Sequence, residues 1–296
     1  MSQADYADSQ ERGGNGMAIA CLILGILSLF CSILTAIPAF ILGIIVIINS
    51  QKRGGSGANT GLAIAGIVVA MGGVFLQLIM MALLLPAIQA ARGAAMRNAS
   101  TNNMKQIELG MINYHDATKK FPLATGAAEE GKPLLSWRVH LLPYINEEGL
   151  YKQFHLNEPW DSPHNQKLIP LMPAVYAAAG STVAAEGKTV YLTPRGPDTV
   201  YPADKQIGLR EIDDGISNTI NLVEVNDQNA VIWTKPDDYD VDRADLIDGL
   251  VGLRPRGFIA GFADGSVRFI AEDVDPQTLR AVFTRAGGET VDLSNF

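Results

Sequence analysis

Four residues spaced three apart form a pattern that is typical of metal ligands. They are His155, Glu158, Asp161 and His164, and imidazoles combined with carboxylates suit a transition metal. However, a proline directly follows Glu158 and another directly precedes His164. These prolines break any helix that would bring the four side chains onto one face. The pattern therefore favours a loop, and we assign no metal ligands.

A cluster of four aspartates offers a second kind of site. Asp237, Asp238, Asp240 and Asp242 supply the oxygen ligands that calcium prefers. Runs of charge are more often solvated surface loops than binding sites. A solvated loop is thus the favoured interpretation, and calcium is kept as an alternative partner.

Motifs that would indicate catalysis are missing from the sequence. We find no Gly-x-Ser-x-Gly turn, no phosphate-binding glycine loop and no His-Glu-x-x-His. His115 is expected on one face of a helix and His140 in a loop. We therefore predict that the protein is not an enzyme, and we assign no catalytic or cofactor-binding residues and no cofactor.

A long apolar region near the amino terminus is expected to anchor the rest of the chain to a membrane. Residues 17–85 carry only two charges, Lys52 and Arg53. We expect a membrane region here, preceded by a disordered acidic tail at 1–16 and interrupted by a basic, glycine-rich loop at 50–60.

The number of membrane spans is left open at two or three. Residues 17–49 exceed the ~20 residues that one spanning helix needs. They fit either one long tilted helix or two short helices that meet near residues 34–38, because Pro38 can kink or end a helix. Residues 61–85 are a further span.

The two cysteines, Cys21 and Cys31, both lie in the first apolar run. On one helix they are too far apart to form a disulfide. We interpret them as small apolar side chains.

Charge predicts how the chain is oriented. Lys52 and Arg53 place their loop in the cytoplasm by the positive-inside rule, so residues 86–296 lie outside the inner membrane. Arg92, Arg97 and Lys105 oppose this assignment. The net charge of −8 belongs to the outer segment, because the acidic tail and the basic loop cancel, and this charge excludes nucleic acid as a partner.

Beyond the last span we predict a stem, an amphipathic helix over residues 86–120. Met104, Ile107, Met111 and Tyr114 recur at steps of three or four residues, as on one apolar face. Polar residues, including Lys105, Glu108 and Asn113, are expected to alternate with that stripe.

The remaining pattern predicts an antiparallel sheet. Residues 219–225 alternate as in a half-buried strand. Two further strands, at 258–263 and 266–270, flank the turn residues Asp264 and Gly265. A short helix is expected from Asp275. The fold class is therefore α+β, with transmembrane helices followed by a stem packed on an antiparallel sheet.

Ten motifs in the outer segment resemble a large bacterial family of unknown function. Its members have a prepilin-type amino terminus and a pilin-like soluble domain. The motifs lie at 83–92, 102–107, 113–116, 135–139, 142–144, 150–154, 158–165, 214–220, 233–236 and 262–269, the last containing Asp264-Gly265-Ser266-Val267-Arg268-Phe269. The resemblance implies a fold like that of type IV pilins or pseudopilins.

A second resemblance concerns the membrane region. The short sequences at 16–20 and 61–65 nearly repeat each other. Such segments flanking a basic, glycine-rich loop resemble a small bacterial membrane module of unknown function, over residues 14–80.

The chain departs from the pilin-like family in three ways. The family's processing site should fall near Ile64 and Val69, and its motif is not present. The extra spans are a fusion that pilins lack. Many relatives carry a histidine upstream of the Asp-Gly pair, where this chain has Arg254.

These observations lead to one leading functional hypothesis and one alternative. The first is a membrane-anchored, pseudopilin-like structural or interaction protein of the cell envelope that does not polymerise. Its partners are the lipid bilayer and another envelope protein. The alternative is an extracytoplasmic module that senses a ligand or ion.

Overall fold

The structure is a computed structural model that describes residues 23, 33–53, 57–123, 128–129, 132–203 and 205–289. The chain divides into two compact units, Met1–Ala91 and Arg92–Phe296. The predicted acidic tail and both cysteines lie outside the described residues.

The first unit contains helix α1, Ile33–Arg53, and the first part of helix α2, Gly57–Thr118. Residues 34–38, where a turn between two short helices was considered, are helical, and Pro38 lies inside α1. Proline removes one backbone donor, a loss that helices in membranes tolerate where neighbouring groups satisfy the freed carbonyl.

Small side chains line the contact between α1 and α2. Ala39 packs against Ala70, and Val46 packs against Ala63. Such residues allow two helix backbones to approach closely in lipid. Ala63 belongs to the repeated segment at 61–65, so this copy of the repeat contributes to helix packing.

The predicted loop at 50–60 is wrong at both ends. Residues 50–53 complete α1 and residues 57–60 begin α2, while 54–56 lie outside the described residues. Glutamine, lysine and arginine are good helix formers, so α1 continues past the apolar sequence into its polar end.

Many large apolar side chains of the first unit are exposed. Among the described residues, one helix, Thr60–Thr118, is long and apolar enough to cross a membrane, and Ile37–Asn49 is a shorter apolar helix. The exposed set includes Val68, Met71, Phe75, Leu78, Met81, Leu83, Leu85 and Ile88. A contiguous exposed apolar surface of this kind marks contact with lipid or another protein.

The second unit begins within α2, whose stem part ends at Thr118. Lys119 adopts a left-handed conformation with φ of 64°, and its N–H donates to the carbonyl of His115 at 2.6 Å. The predicted apolar stripe is confirmed, because Met104, Ile107 and Met111 are fully buried.

The second unit contains a four-stranded antiparallel sheet. Its strands are β4, Tyr191–Leu192, β6, Ile220–Glu224, β9, Gly257–Phe262, and β10, Val267–Ala271. Their order across the sheet is β10-β9-β6-β4.

The hairpin predicted around Asp264 and Gly265 is confirmed. Strands β9 and β10 pair from Val267 opposite Gly261 to Ala271 opposite Gly257. The Asp264 carboxylate accepts from the N–H of Ser266 at 2.8 Å, and Gly265 has φ of 84°, a value that favours glycine.

The other elements are short. Six further strands in the described residues are β1, Ala128–Glu129, β2, Lys132–Pro133, β3, Lys188–Thr189, β5, Pro194–Arg195, β7, Val231–Ile232, and β8, Tyr239–Asp240. Strand β1 pairs with β2 and β3 with β7, both antiparallel, and β5 pairs with β8 in parallel. The helices are α3, Trp137–Leu141, α4, Glu148–Tyr151, and α5, Pro276–Ala281. Within the described parts of the chain, short 3-10 helices lie at Leu142–Ile145, Asn165–Leu171, Ala174–Tyr176, Val183–Glu186, Leu209–Glu211 and Asp227–Asn229.

The helix predicted from Asp275 is confirmed as α5. The Asp275 carboxylate accepts from the N–H of Thr278 at 2.8 Å, which satisfies one of the free donors of the first turn.

Candidate functional site

The loop that carries the His-Glu-Asp-His pattern is organised by a buried asparagine. The side-chain N–H₂ of Asn165 donates to the carbonyls of His155, Glu158 and Pro159 at 3.0 to 3.2 Å. Its side-chain oxygen accepts from the N–H of His155 at 3.1 Å. One side chain thus fixes both ends of the loop, and the prediction of a loop at this pattern is confirmed.

The two histidines of this loop stack face to face. The rings of His155 and His164 are parallel, with centroids 3.5 Å apart. His155 Nδ1 lies 2.8 Å from Glu158 Oε1, and His164 Nε2 donates to the carbonyl of Gln153 at 2.8 Å. Hydrogen bonds from Ser162 and His155 hold the pKa of Glu158 below its usual value.

This stacking does not assemble a metal site. Lone pairs of imidazole lie in the plane of the ring, so parallel rings direct them along parallel planes and not toward one point. Across the described parts of the chain, no three His, Cys, Asp or Glu side chains lie close enough together to hold a metal ion.

In the acidic cluster, Asp238 is buried and serves as an internal anchor. Its Oδ1 accepts from Arg138 Nη2 at 2.7 Å, from the Trp137 indole N–H at 3.1 Å and from the Thr193 N–H at 2.9 Å. Burial raises the pKa of Asp238, with Arg138 opposing the shift. Asp238 therefore ties α3 to the strand region after β4, and it was wrongly expected in a solvated loop.

The other three aspartates of the cluster have separate local contacts. Asp237 pairs with Lys235 at 2.8 Å. Asp240 Oδ1 accepts from the N–H of Asp242 at 2.9 Å. The carboxylates of Asp237, Asp238 and Asp240 therefore have separate partners, and Asp242 takes part through its backbone N–H.

Arg254 connects three elements through a buried network. Its Nε and Nη2 donate to the two carboxylate oxygens of Glu224 at 2.8 and 2.7 Å. Nη2 also donates to Ser100 Oγ at 2.6 Å, and the Tyr191 hydroxyl donates to the same Oγ at 2.9 Å. The stem, β6 and β4 are thus joined by one buried side chain.

Glu108 is buried between the stem and the sheet, contrary to its predicted place among exposed polar residues. Its Oε2 accepts from Asn221 Nδ2 at 2.7 Å, and the Tyr201 hydroxyl donates to Asn221 Oδ1 at 2.8 Å. Burial raises the pKa of Glu108 to about 8; Asn221 opposes this shift and Asp264 adds to it.

A signal for this burial was present in the sequence. Glu108 follows Met104 by four residues and precedes Met111 by three, so it belongs to the same face of the helix. Gly261, an isolated glycine within a strand, marks a close approach by another group. A Cβ at Gly261 would overlap with the Glu108 carboxyl group.

The two remaining histidines lie in helices. His115 lies on the stem, as predicted, and its Nε2 accepts from the N–H of Leu209 at 3.2 Å. His140 lies in α3, so its assignment to a loop was wrong. Burial lowers the pKa of both side chains.

Comparison with known families gives one match. The family described as "Protein of unknown function (DUF1559)" matches residues 89–248. The match covers more than half of the chain, and the chain belongs to this family. It ends before the Asp264–Gly265 turn. No curated protein and no solved structure matches the chain.

Proposed function

We propose that this chain is a membrane-anchored, pseudopilin-like structural or interaction protein of the bacterial cell envelope. In this proposal, the membrane region stays in the inner membrane as a multi-pass anchor. Residues 86–296 form a pilin-like domain outside the cytoplasm. The domain docks onto another envelope protein and does not polymerise by itself.

The observation that carries the proposal is the change of environment along α2. Leu83, Leu84 and Leu85 are exposed in the apolar part of the helix. Met104 and Ile107, further along the same helix, are buried against the core of the second unit. A helix that offers one apolar part to lipid and another to a sheet is suited to tether a soluble domain.

The resemblance to prepilin-type proteins supports the pilin-like part of the proposal. It includes the carboxy-terminal run from Asp264 to Phe269, which forms the turn and first half of β10. It also includes the Asn165 loop, which a buried side chain holds in one shape. Rigid loops on a domain surface are common sites of recognition.

The membrane region supports permanent anchoring. A pilin fibre requires that a single helix leave the bilayer. Here a second apolar helix, α1, precedes α2, and Lys52 and Arg53 would have to cross the hydrocarbon at ~2.5–3.5 kcal/mol each. The missing processing motif near Ile64 and Val69 removes the usual route to a freed helix.

Photo-cross-linking in living cells tests the proposed docking. Leu109 lies on the stem with 58 % of its surface exposed, so a photoreactive amino acid placed there faces outward. We expect a discrete adduct of the full chain with one envelope protein. Glu272, an exposed residue after β10, gives a control position. A ladder of self-adducts, or adducts with lipid alone at both positions, would contradict the proposal.

A further inference from the structure

Glu108 presents an unusual combination of burial and incomplete hydrogen bonding. The side chain has no exposed surface. Its Oε2 accepts one hydrogen bond from Asn221, and its Oε1 is buried with no hydrogen-bond partner among the described residues. An unpaired oxygen costs a buried neutral carboxylic acid, which has a single O–H donor, far less than it costs a buried carboxylate, which requires several donors or a cation.

The groups that face Glu108 come from each element packed against it. Asn221 approaches from β6 and Gly261 from β9. Tyr201 acts through its hydrogen bond to Asn221. The charged side chain that acts on Glu108 is Asp264, another acid. Burial and this like charge both oppose loss of the proton.

We propose that Glu108 is a proton-binding site that couples the packing of the stem on the sheet to pH. In the neutral form, the acid fits between Asn221 and Gly261 and the stem stays packed. When the proton passes to water, the carboxylate has only the Asn221 N–H₂ as donor, and the stem opens so that the charge becomes solvated. This inference does not depend on the proposed docking function.

The sign of the pH dependence follows from the raised pKa, which moves from 4.5 to about 8. Between these values the opened state releases the proton and the packed state keeps it, so stability is lost as pH rises and is constant above about 8. The lowered pKa values of His115 and His140 act in the opposite sense, but only below 6.5, their usual value. The window from pH 6.5 to 8 therefore excludes these histidines. Asp238, whose pKa burial also raises, acts in the same sense as Glu108, so the Glu108→Gln variant is needed to assign the pH dependence to Glu108.

Hydrogen exchange on the full chain in lipid nanodiscs tests the proposal. The measured quantity is the protection factor of the backbone amides at 99–115 in the stem. A protection factor divides the intrinsic exchange rate by the observed rate, so the pH dependence of the chemical exchange step cancels. We expect protection to fall by up to tenfold per pH unit between 6.5 and 8. Glu108→Gln should abolish this fall, because a neutral amide cannot ionise.

Glu272→Gln is the matched control, since it removes one exposed carboxylate, and it should behave as the parent chain. A pH dependence that persists in Glu108→Gln would overturn the proposal. So would a parent chain whose protection is constant over the window.

Infrared difference spectroscopy provides a second readout, of the proton itself. A buried protonated carboxyl group has a C=O stretching band that ionisation removes. We expect this band in the parent chain at pH 6.5 and its loss by pH 10, with no such change in Glu108→Gln. A parent chain that lacks the band at pH 6.5, or keeps it at pH 10, would contradict proton binding at Glu108.

Discussion

At the residue scale, Arg254 illustrates how buried charge is used in the second unit. The guanidinium makes a two-point contact with Glu224, whose side chain is 1 % exposed, and also reaches Ser100 on the stem. Because both groups are planar and make two hydrogen bonds, this pairing fixes the relative orientation of the guanidinium and the carboxylate as well as their distance. Arg254 therefore holds the stem and β6 in a defined relation.

Replacing Arg254 tests this role. Arg254→Met leaves the Glu224 carboxylate buried without its partner, which should lower the free energy of unfolding by about 3–5 kcal/mol. Chemical denaturation of the full chain in detergent, followed by tryptophan fluorescence, measures the change. Arg280→Met, at an exposed arginine of α5, should change it by about 0.5 kcal/mol or less.

Adding Glu224→Gln to Arg254→Met removes the unpaired charge and should recover part of the loss. Equal stabilities for Arg254→Met and Arg280→Met would show that the buried pair does not support the fold.

At the element scale, the packing of the stem on the sheet depends most on the apolar stripe of the stem. Met111 is fully buried, whereas Leu109, two residues earlier on the same helix, is 58 % exposed. These two positions therefore give a matched pair for a substitution of the same kind.

Met111→Asp buries a charge without a partner and should cost about 3–5 kcal/mol of unfolding free energy. Leu109→Asp places the same charge in solvent and should cost about 0.5 kcal/mol or less. The same denaturation experiment compares them. If Met111→Asp were as stable as Leu109→Asp, the stripe would not be part of the core.

The elements that were predicted correctly have local signals. The stem follows from the spacing of Met104, Ile107 and Met111, and the hairpin follows from the Asp264-Gly265 pair between two apolar runs. In both cases neighbouring residues determine the conformation, so periodicity and turn chemistry are sufficient.

The features that were missed depend on distant partners. Asp238 is buried because Arg138, a hundred residues away in sequence, supplies a cation. Glu108 is buried because Asn221, 113 residues away in sequence, supplies a hydrogen-bond donor. Periodicity treats such polar side chains as exposed, since it carries no information about which groups will satisfy them.

At the scale of the whole molecule, topology is the first property to test. Lys52 and Arg53 are predicted to remain cytoplasmic, which places residues 86–296 outside. Protease added to intact spheroplasts should remove the outer segment of the full chain. Protection until lysis would contradict this orientation.

A double variant tests whether the charges of Lys52 and Arg53 set this orientation. Lys52→Gln combined with Arg53→Gln removes the charge bias between the apolar helices. We expect this variant to show mixed orientation, with a fraction of its outer segment protected in intact spheroplasts. Unchanged, complete digestion would indicate that other residues set the orientation.

The central claim is that the chain remains in the membrane, unprocessed and unpolymerised. Intact mass spectrometry of the membrane fraction and of material sheared from the cell surface tests it most directly. We expect a species in the membrane fraction that retains both apolar helices, α1 and α2, and no trace of the protein in the sheared fraction. A sheared species that begins within residues 60–75 would overturn the proposed function, because it would show that α2 had been released for assembly.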